Sequence, residues 1–144
     1  RHKGYGTQIH QQALAQIVSG ADVIYQNADA AGLGIFQAAK ESKNVYIIGS
    51  NSNQNDVAPT VTLGSVVIDL PNAFMSVARE VKAGTFTPHV YVLDTRSGVM
   101  KWVLNRRMTA IVPPRALQLV DSIERRMRAG TFTAPTTFPT REEQ

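Results

Sequence analysis

Hydrophobic and polar positions alternate in blocks along the chain, and the spacing within the blocks switches between helical and strand-like. The first block repeats apolar residues at helical spacing, at Ile9, Ala13 and Ile17. Because Gly20 is placed to end such a repeat, this block predicts a helix over residues 7–19. The run 21–25 that follows is short and mostly apolar, which is typical of a buried strand.

The next two blocks repeat the order of helix and strand. Residues 30–40 carry apolar side chains at helical spacing behind Asp29, a residue type that often caps helices. Residues 45–48 form a second continuous apolar run. Since strand–helix–strand crossovers are almost always right-handed, the two strands are expected to be parallel members of one sheet. The pattern therefore predicts an α/β fold.

A third strand and helix follow. Residues 61–68 are rich in β-branched side chains and predict a strand. Asp69 can cap the next helix, Pro71 suits its first turn and Gly84 its end. The buried stripe of this helix is expected to contain Phe74, Ala78 and Val81.

The last third is less regular. Residues 89–93 and 99–104 resemble two strands around a turn at 95–98, either as a hairpin or as separate edge strands. A final helix is predicted over residues 114–129. Its inward side chains are expected to be Leu117, Val120, Ile123 and Met127.

Composition and charge narrow the class of protein. The 144 residues are 43% hydrophobic and 18% charged, the balance of one ordinary globular domain. The net charge of +4 is concentrated late in the chain, and residues 44–78 contain no Lys or Arg. With no aromatic stacking pattern beside these charges, we expect a solvated helix face and no nucleic-acid partner. The absence of Cys excludes disulfides and thiolate chemistry.

Polar side chains concentrate in the loops 26–31, 49–56 and 68–70, each directly after a predicted strand. Ligands of open α/β sheets bind outside the carboxyl ends of the strands, so these loops are expected to share one rim. Their amides and hydroxyls both donate and accept hydrogen bonds, which suits a sugar or a purine edge better than a phosphate. Local roles remain open, because Asp29 and Asp69 can act as helix caps and residues 50–55 can form a solvated turn.

Catalytic and cofactor motifs are incomplete. Gly32 and Gly34 follow a strand as a dinucleotide fingerprint requires, but Gln37 stands at the third glycine position. The three His residues lack metal-ligand spacing, and no Ser lies in a nucleophile-elbow context. We therefore expect no cofactor, no metal and no catalysis.

Several segments resemble one known family. The run 20–40, which reads Gly-Ala-Asp-Val-Ile-Tyr-Gln and continues to Lys40, is similar to the basic-membrane-protein family, which includes purine-nucleoside-binding lipoproteins. The segments 45–54, 63–69 and 97–105 agree with the same family in the same order. The similarity covers most of residues 7–130.

This resemblance implies a fold and a function. Residues 1–130 would form the carboxy-terminal lobe of a type I periplasmic binding protein, a Rossmann-like three-layer lobe with a mostly parallel sheet and helices on both faces, and residues 131–144 a tail. Such proteins close two lobes on a small polar, nucleoside-like ligand and deliver it to the permease of an ABC importer. The family implies a place in the periplasm or on the outer face of the cytoplasmic membrane, with the signal or lipid anchor in a segment outside this chain.

The resemblance also carries a candidate ligand site, comprising Asn27, Ala28, Asp29, Ser50, Asn51 and Ile68. In nucleoside-binding members an acidic residue that holds ribose hydroxyls usually stands at the position of Asn51, and a lysine at that of Ile68. The loop matching residues 28–30 is usually glycine-rich. We therefore hypothesise that Asp29 supplies the missing carboxylate. Two other functions remain as alternatives, a cytosolic regulator or ligand sensor built on the same lobes, and a nucleotide-using enzyme whose catalytic residues lie elsewhere.

Overall fold

The computed structural model describes residues 3–135, which fold around one four-stranded sheet. Its strands are β1 (Val23–Tyr25), β2 (Tyr46–Asn51), β3 (Thr62–Ile68) and β4 (Met100–Leu104), in that order across the sheet. β1, β2 and β3 are parallel, and β4 is antiparallel to β3. The predicted α/β class with a mostly parallel sheet is confirmed.

Four α-helices accompany these strands in the described part of the chain. They are α1 (Lys3–Val18), α2 (Leu33–Glu41), α3 (Leu70–Ala83) and α4 (Pro114–Arg128), with short 3-10 helices at Asp29–Gly32 and Arg106–Met108. Within residues 3–135, none is long and apolar enough to cross a membrane. Of the predicted tail, residues 131–135 lie outside helices and strands, and 136–144 lie outside the described residues.

The apolar core lies between α1, α2 and one face of the sheet. Phe36 of α2 and Ile47 of β2 are almost completely buried, at 1% and 0% exposure. Small and aliphatic side chains complete this core: Ala13, Ile24, Ile35, Ala38, Ala39, Val45 and Ala58. Small residues let α1 and α2 approach closely, and the packing fixes β1 beside β2. The loops at the carboxyl ends of these two strands are consequently neighbours.

Helix α4 lies over the opposite face of the sheet. Consecutive strand residues point to opposite faces, so Ile48 points away from the core that contains Ile47. A hollow of about 710 Å³ lies between α4 and this face, bordered by Ile48, Leu63, Trp102, Leu104, Leu117 and Val120 among others. Helices therefore flank both faces, as predicted. The inward stripe of α4 is only half-covered, because Val120 remains 41% exposed and no α4 residue is fully buried.

The strand predicted at residues 89–93 is absent. This segment is not paired with any strand of the sheet, and Val90 and Val92 are 87% and 80% exposed. Alternation of apolar residues is not sufficient for a strand, because a strand also needs hydrogen bonds to a neighbouring strand, and this segment forms none with the sheet. Instead, the Tyr91 hydroxyl donates a hydrogen bond to the Glu80 carboxylate, which ties the segment to α3.

The buried face of α3 also differs from the prediction. Phe74 and Val81 are 72% and 59% exposed, and Ala78 is exposed as well, whereas Ala73 is buried. The covered side of the helix contains Ala73, Ser76, Val77 and Glu80, which share one face at helical spacing. Residues on two faces of α3 have helical spacing, and apolar spacing alone predicted the wrong face to be buried.

Candidate functional site

The three polar loops meet at one edge of the sheet, as predicted. Tyr25, the last residue of β1, pairs in register with Ile48, and Asn51, the last residue of β2, pairs with Val67 next to the end of β3. A side-chain contact joins the first two loops directly, because the Ser50 hydroxyl donates to Asn27 Oδ1 at 3.4 Å. We call this edge, formed by residues 26–29, 50–55 and 68–69, the rim.

Exposure divides the predicted site residues into two groups. Asn27, Asp29 and Asn51 are exposed, so that their amide and carboxylate groups are accessible to a ligand. Ser50 is buried at 3% exposure and supports Asn27 from below. Ala28 is half-buried and contributes backbone only. The predicted site residues therefore present two exposed amides and one exposed carboxylate, with the buried Ser50 beside them.

The backbone at the rim is held in an unusual conformation. Asp29 has φ 46° and Asn51 has φ 66°, both in the left-handed region. Among the described residues, Asn44 is the only other non-glycine residue with positive φ. Left-handed backbone costs an L-residue about 1–2 kcal/mol, although Asn and Asp tolerate it best. Such conformations persist where the surroundings enforce them and are concentrated at functional sites.

Asp29 does not cap a helix, contrary to one of its two predicted roles. It is the first residue of the 3-10 helix that precedes α2, and neither that helix nor α2 has a side-chain cap. Within the described residues its exposed carboxylate forms neither a hydrogen bond nor an ion pair. The group is consequently free to accept hydrogen bonds from a ligand.

Asp69 does act as a cap, as predicted. Its carboxylate accepts from the Asn72 N–H at 3.2 Å at the start of α3, and the Lys101 ammonium lies 3.3 Å from its other oxygen. The hydrogen bond from the Asn72 N–H, and to a lesser extent the contact with Lys101, hold the pKa of the Asp69 carboxyl below its ordinary value. Both acidic oxygens are thus engaged within the protein.

Ile68 supplies no polar group to the rim. Its half-buried side chain is aliphatic, and the residue pairs with Met100 on β4. The cation at this end of the sheet comes instead from Lys101, which lies opposite Val67 and reaches Asp69. Sequence reasoning missed Lys101, because only the antiparallel register of β4 brings it here.

A mostly buried amide network lies beneath the exposed side chains of the rim. Gln26, at 1% exposure, donates through Nε2 to Gln54 Oε1. The Gln54 N–H donates to Ser65 Oγ at 3.0 Å, and Ser65 Oγ donates to Asn55 Oδ1 at 2.9 Å. Asn55 Nδ2 then reaches the Val103 carbonyl oxygen at 3.2 Å. The loops after β1 and β2 are thereby connected to β3 and β4.

Comparisons with known proteins give a family and a fold. A family model described as ABC transporter substrate-binding protein PnrA-like matches residues 8–103. No curated protein sequence matches the chain. Among solved structures, similar chains include a transcriptional activator of the comK gene from Bacillus halodurans, with TM-score 0.75 and 18% identity over 90% of this chain.

Two solute-binding proteins of ABC transporter systems are also similar. The protein from Aeropyrum pernix K1 has TM-score 0.74 and 17% identity over 92% of this chain, and that from Conexibacter woesei DSM 14684 has TM-score 0.66 and 22% identity over 96%. At these identities the likeness establishes the fold alone. The chain spans 44% to 45% of the length of the three solved chains.

Proposed function

Because the chain belongs to the Bmp family of PnrA-like ABC transporter substrate-binding proteins, we propose that it forms the carboxy-terminal lobe of a protein that binds a nucleoside-like ligand outside the cytoplasmic membrane. In this proposal the ligand is held between two lobes and is passed, chemically unchanged, to an importer permease. The chain supplies one wall of the cleft, and the remainder of the full-length protein supplies the other.

The observation that carries this proposal is that Asp29 and Asn51 lie on two rim loops that hydrogen bonds join. Both side chains are exposed, and both backbones are left-handed above a buried amide network. A free carboxylate accepts hydrogen bonds from two neighbouring hydroxyls, and a carboxamide both donates and accepts. This donor and acceptor set matches the hydroxyls of a ribose and the edge of a base.

The charge of the rim favours a neutral ligand. Residues 44–78 contain no Lys or Arg, and the nearby Lys101 ammonium is paired with Asp69. The free charge is the carboxylate of Asp29, which would repel a phosphate. A nucleoside therefore fits this wall better than a nucleotide.

The test is a matched pair of variants in the full-length protein. Asp29→Ala removes the rim carboxylate, while Asp22→Ala removes an exposed carboxylate just before the other end of β1. Loss of a hydrogen bond to a charged group weakens binding by at least about ten-fold. We expect calorimetry to show that loss for inosine with Asp29→Ala and none with Asp22→Ala. Equal inosine affinity in both variants would remove Asp29 from the site.

A second candidate function is a ligand-dependent regulator. The observation in its favour is the similarity to the transcriptional activator from Bacillus halodurans. A regulator would share the rim but would remain in the cytosol, so the discriminating measurement is fractionation of cells that express the full-length gene. Recovery from the cell envelope supports the importer, and recovery from the cytosol supports the regulator.

A further inference from the structure

Gln54 connects the two loops that present Asn51 and Asp29. Its side-chain oxygen accepts one hydrogen bond from the Ser50 N–H at 3.0 Å and a second from Gln26 Nε2. The first bond closes the loop 50–54 on itself, and the second joins that loop to the loop after β1. Within the chain, the second contact spans 28 positions.

Backbone donors fix the orientation of both amides. The Ala28 N–H donates to Gln26 Oε1 at 3.2 Å, so Gln26 must turn its Nε2 toward Gln54. The Ser50 N–H likewise requires an oxygen from Gln54. Rotating either amide by half a turn would set two donors or two acceptors against each other. Since Gln26 is almost fully buried, water cannot replace these partners.

The chain leaves room for this arrangement at two glycines. A Cβ atom at Gly32 would stand 2.3 Å from Gln26 Oε1, and one at Gly49 would stand 2.9 Å from Gln54 Oε1. Neither distance is compatible with a side chain there while the two glutamines remain in place. The glutamine pair is therefore a packed feature of the domain, with space left for it by one glycine in the 3-10 helix and one in β2.

The closed loop also explains how Asn51 keeps its left-handed backbone. Gln54 holds the Ser50 N–H on one side of Asn51, and the Ser52 N–H donates to the Ser50 carbonyl oxygen at 2.7 Å. The Gln54 N–H is in turn anchored on Ser65 of β3. Without the Gln54 oxygen, the loop 50–54 that contains Asn51 loses the contact that closes it.

We propose that Gln54 is a positioning residue, which sets the two rim loops relative to each other and so presents Asp29 and Asn51 as one preorganised surface. The role in ligand binding rests on the proposed function, whereas the role in ordering the loops does not. Preorganisation lowers the conformational cost of binding, so the effect appears in affinity as well as in loop order.

The test compares two substitutions of Gln54 in the full-length protein. Gln54→Glu keeps an oxygen at the same place, so it can still accept from Ser50 and Gln26. Gln54→Met has a similar size without a comparable acceptor. A control, Gly84→Ala, strains the left-handed end of α3, where φ is 70°, and lowers stability far from the rim.

Two measurements separate the role of Gln54 in ordering the loops from its role in ligand binding. In the ligand-free protein, we expect Gln54→Met to speed hydrogen exchange of the Ser50 amide by about ten-fold, the change expected when a buried donor loses its acceptor. We expect the same variant to weaken inosine binding by about ten-fold, while Gln54→Glu matches the wild type in both measurements and Gly84→Ala alters neither.

Unchanged Ser50 exchange in Gln54→Met overturns the proposal, as does equal loss of affinity in both Gln54 variants. If the wild type binds no inosine, the nucleoside function falls, and the exchange result alone decides the role of Gln54.

Discussion

Asn51 ends β2 and Asp29 lies in the loop after the neighbouring parallel strand β1, and both hold a left-handed backbone, with φ of 66° and 46°. Each is a residue type that tolerates this conformation, and each exposes its side chain. The buried Gln26 and the half-buried Gln54 link the two loops. At both residues a strained backbone occurs together with an exposed side chain, which distinguishes them from residues of ordinary solvated turns.

Substitution of Asn51 separates its backbone role from its side-chain role. Asn51→Gly removes the amide but adopts positive φ without cost, so stability should stay the same or rise by up to about 1 kcal/mol while ligand affinity falls. Asn51→Ala removes the amide and keeps the strain, so both should fall. Urea unfolding and inosine calorimetry on the full-length protein measure the two quantities. Wild-type affinity in Asn51→Gly would show that the amide does not contact the ligand.

Gly49 should tolerate no side chain. A Cβ atom there would lie 2.8 Å from Ser65 Oγ and 2.9 Å from Gln54 Oε1, so Gly49→Ala is expected to destabilise the protein by about 1–3 kcal/mol. The matched control is Gly6→Ala in α1, where a Cβ meets nothing within 4 Å and helix propensity predicts a gain of up to about 1 kcal/mol. Urea unfolding tests both. A stable Gly49→Ala variant would contradict the packing beneath the rim.

Asp69 should contribute a stability term that depends on pH. The pKa of Asp69 is lowered in the folded protein from 3.8, chiefly by the Asn72 N–H and then by Lys101. A carboxyl with a depressed pKa stabilises the fold above its unfolded pKa, and this contribution is lost as pH falls through the folded value. The advantage of the wild type over Asp69→Asn should therefore be present at about pH 6 and shrink below about pH 4. Thermal unfolding of both proteins across this range measures it, and a constant difference would contradict the assignment.

The parts of the fold that sequence reasoning predicted are those governed by local periodicity. The apolar runs of β1 and β2, with α2 between them, predicted the parallel pair of strands. The positions of the strand ends predicted the rim. Residues 89–93 show where this logic fails, because Val90 and Val92 alternate as in a strand but the segment pairs with no strand of the sheet. In α3, helical spacing identified Phe74 as buried, yet the helix packs through Ala73.

The supporting structure of the site could not be predicted in the same way. Gln26 and Gln54 are far apart in sequence, and nothing in the sequence around a glutamine indicates which residue it will hydrogen-bond. Lys101 reaches Asp69 only through the antiparallel register of β4. These contacts depend on tertiary placement, whereas the exposed residues of the rim were predictable from their position at or after the end of a strand. The glycines at 32 and 49 were visible in the sequence. The reason that these positions need glycine is evident only from the nearby side chains of Gln26 and Gln54.

Calorimetric titration of the full-length protein with inosine, and separately with ribose and inosine monophosphate, tests whether the rim forms part of a nucleoside site. The proposed site predicts binding of the nucleoside, much weaker binding of the free sugar and exclusion of the nucleotide, because the rim offers amides and a free carboxylate without an unpaired cation. Binding of the nucleotide as tightly as the nucleoside, or binding of none of the three, would contradict the account of the rim as one wall of a nucleoside site.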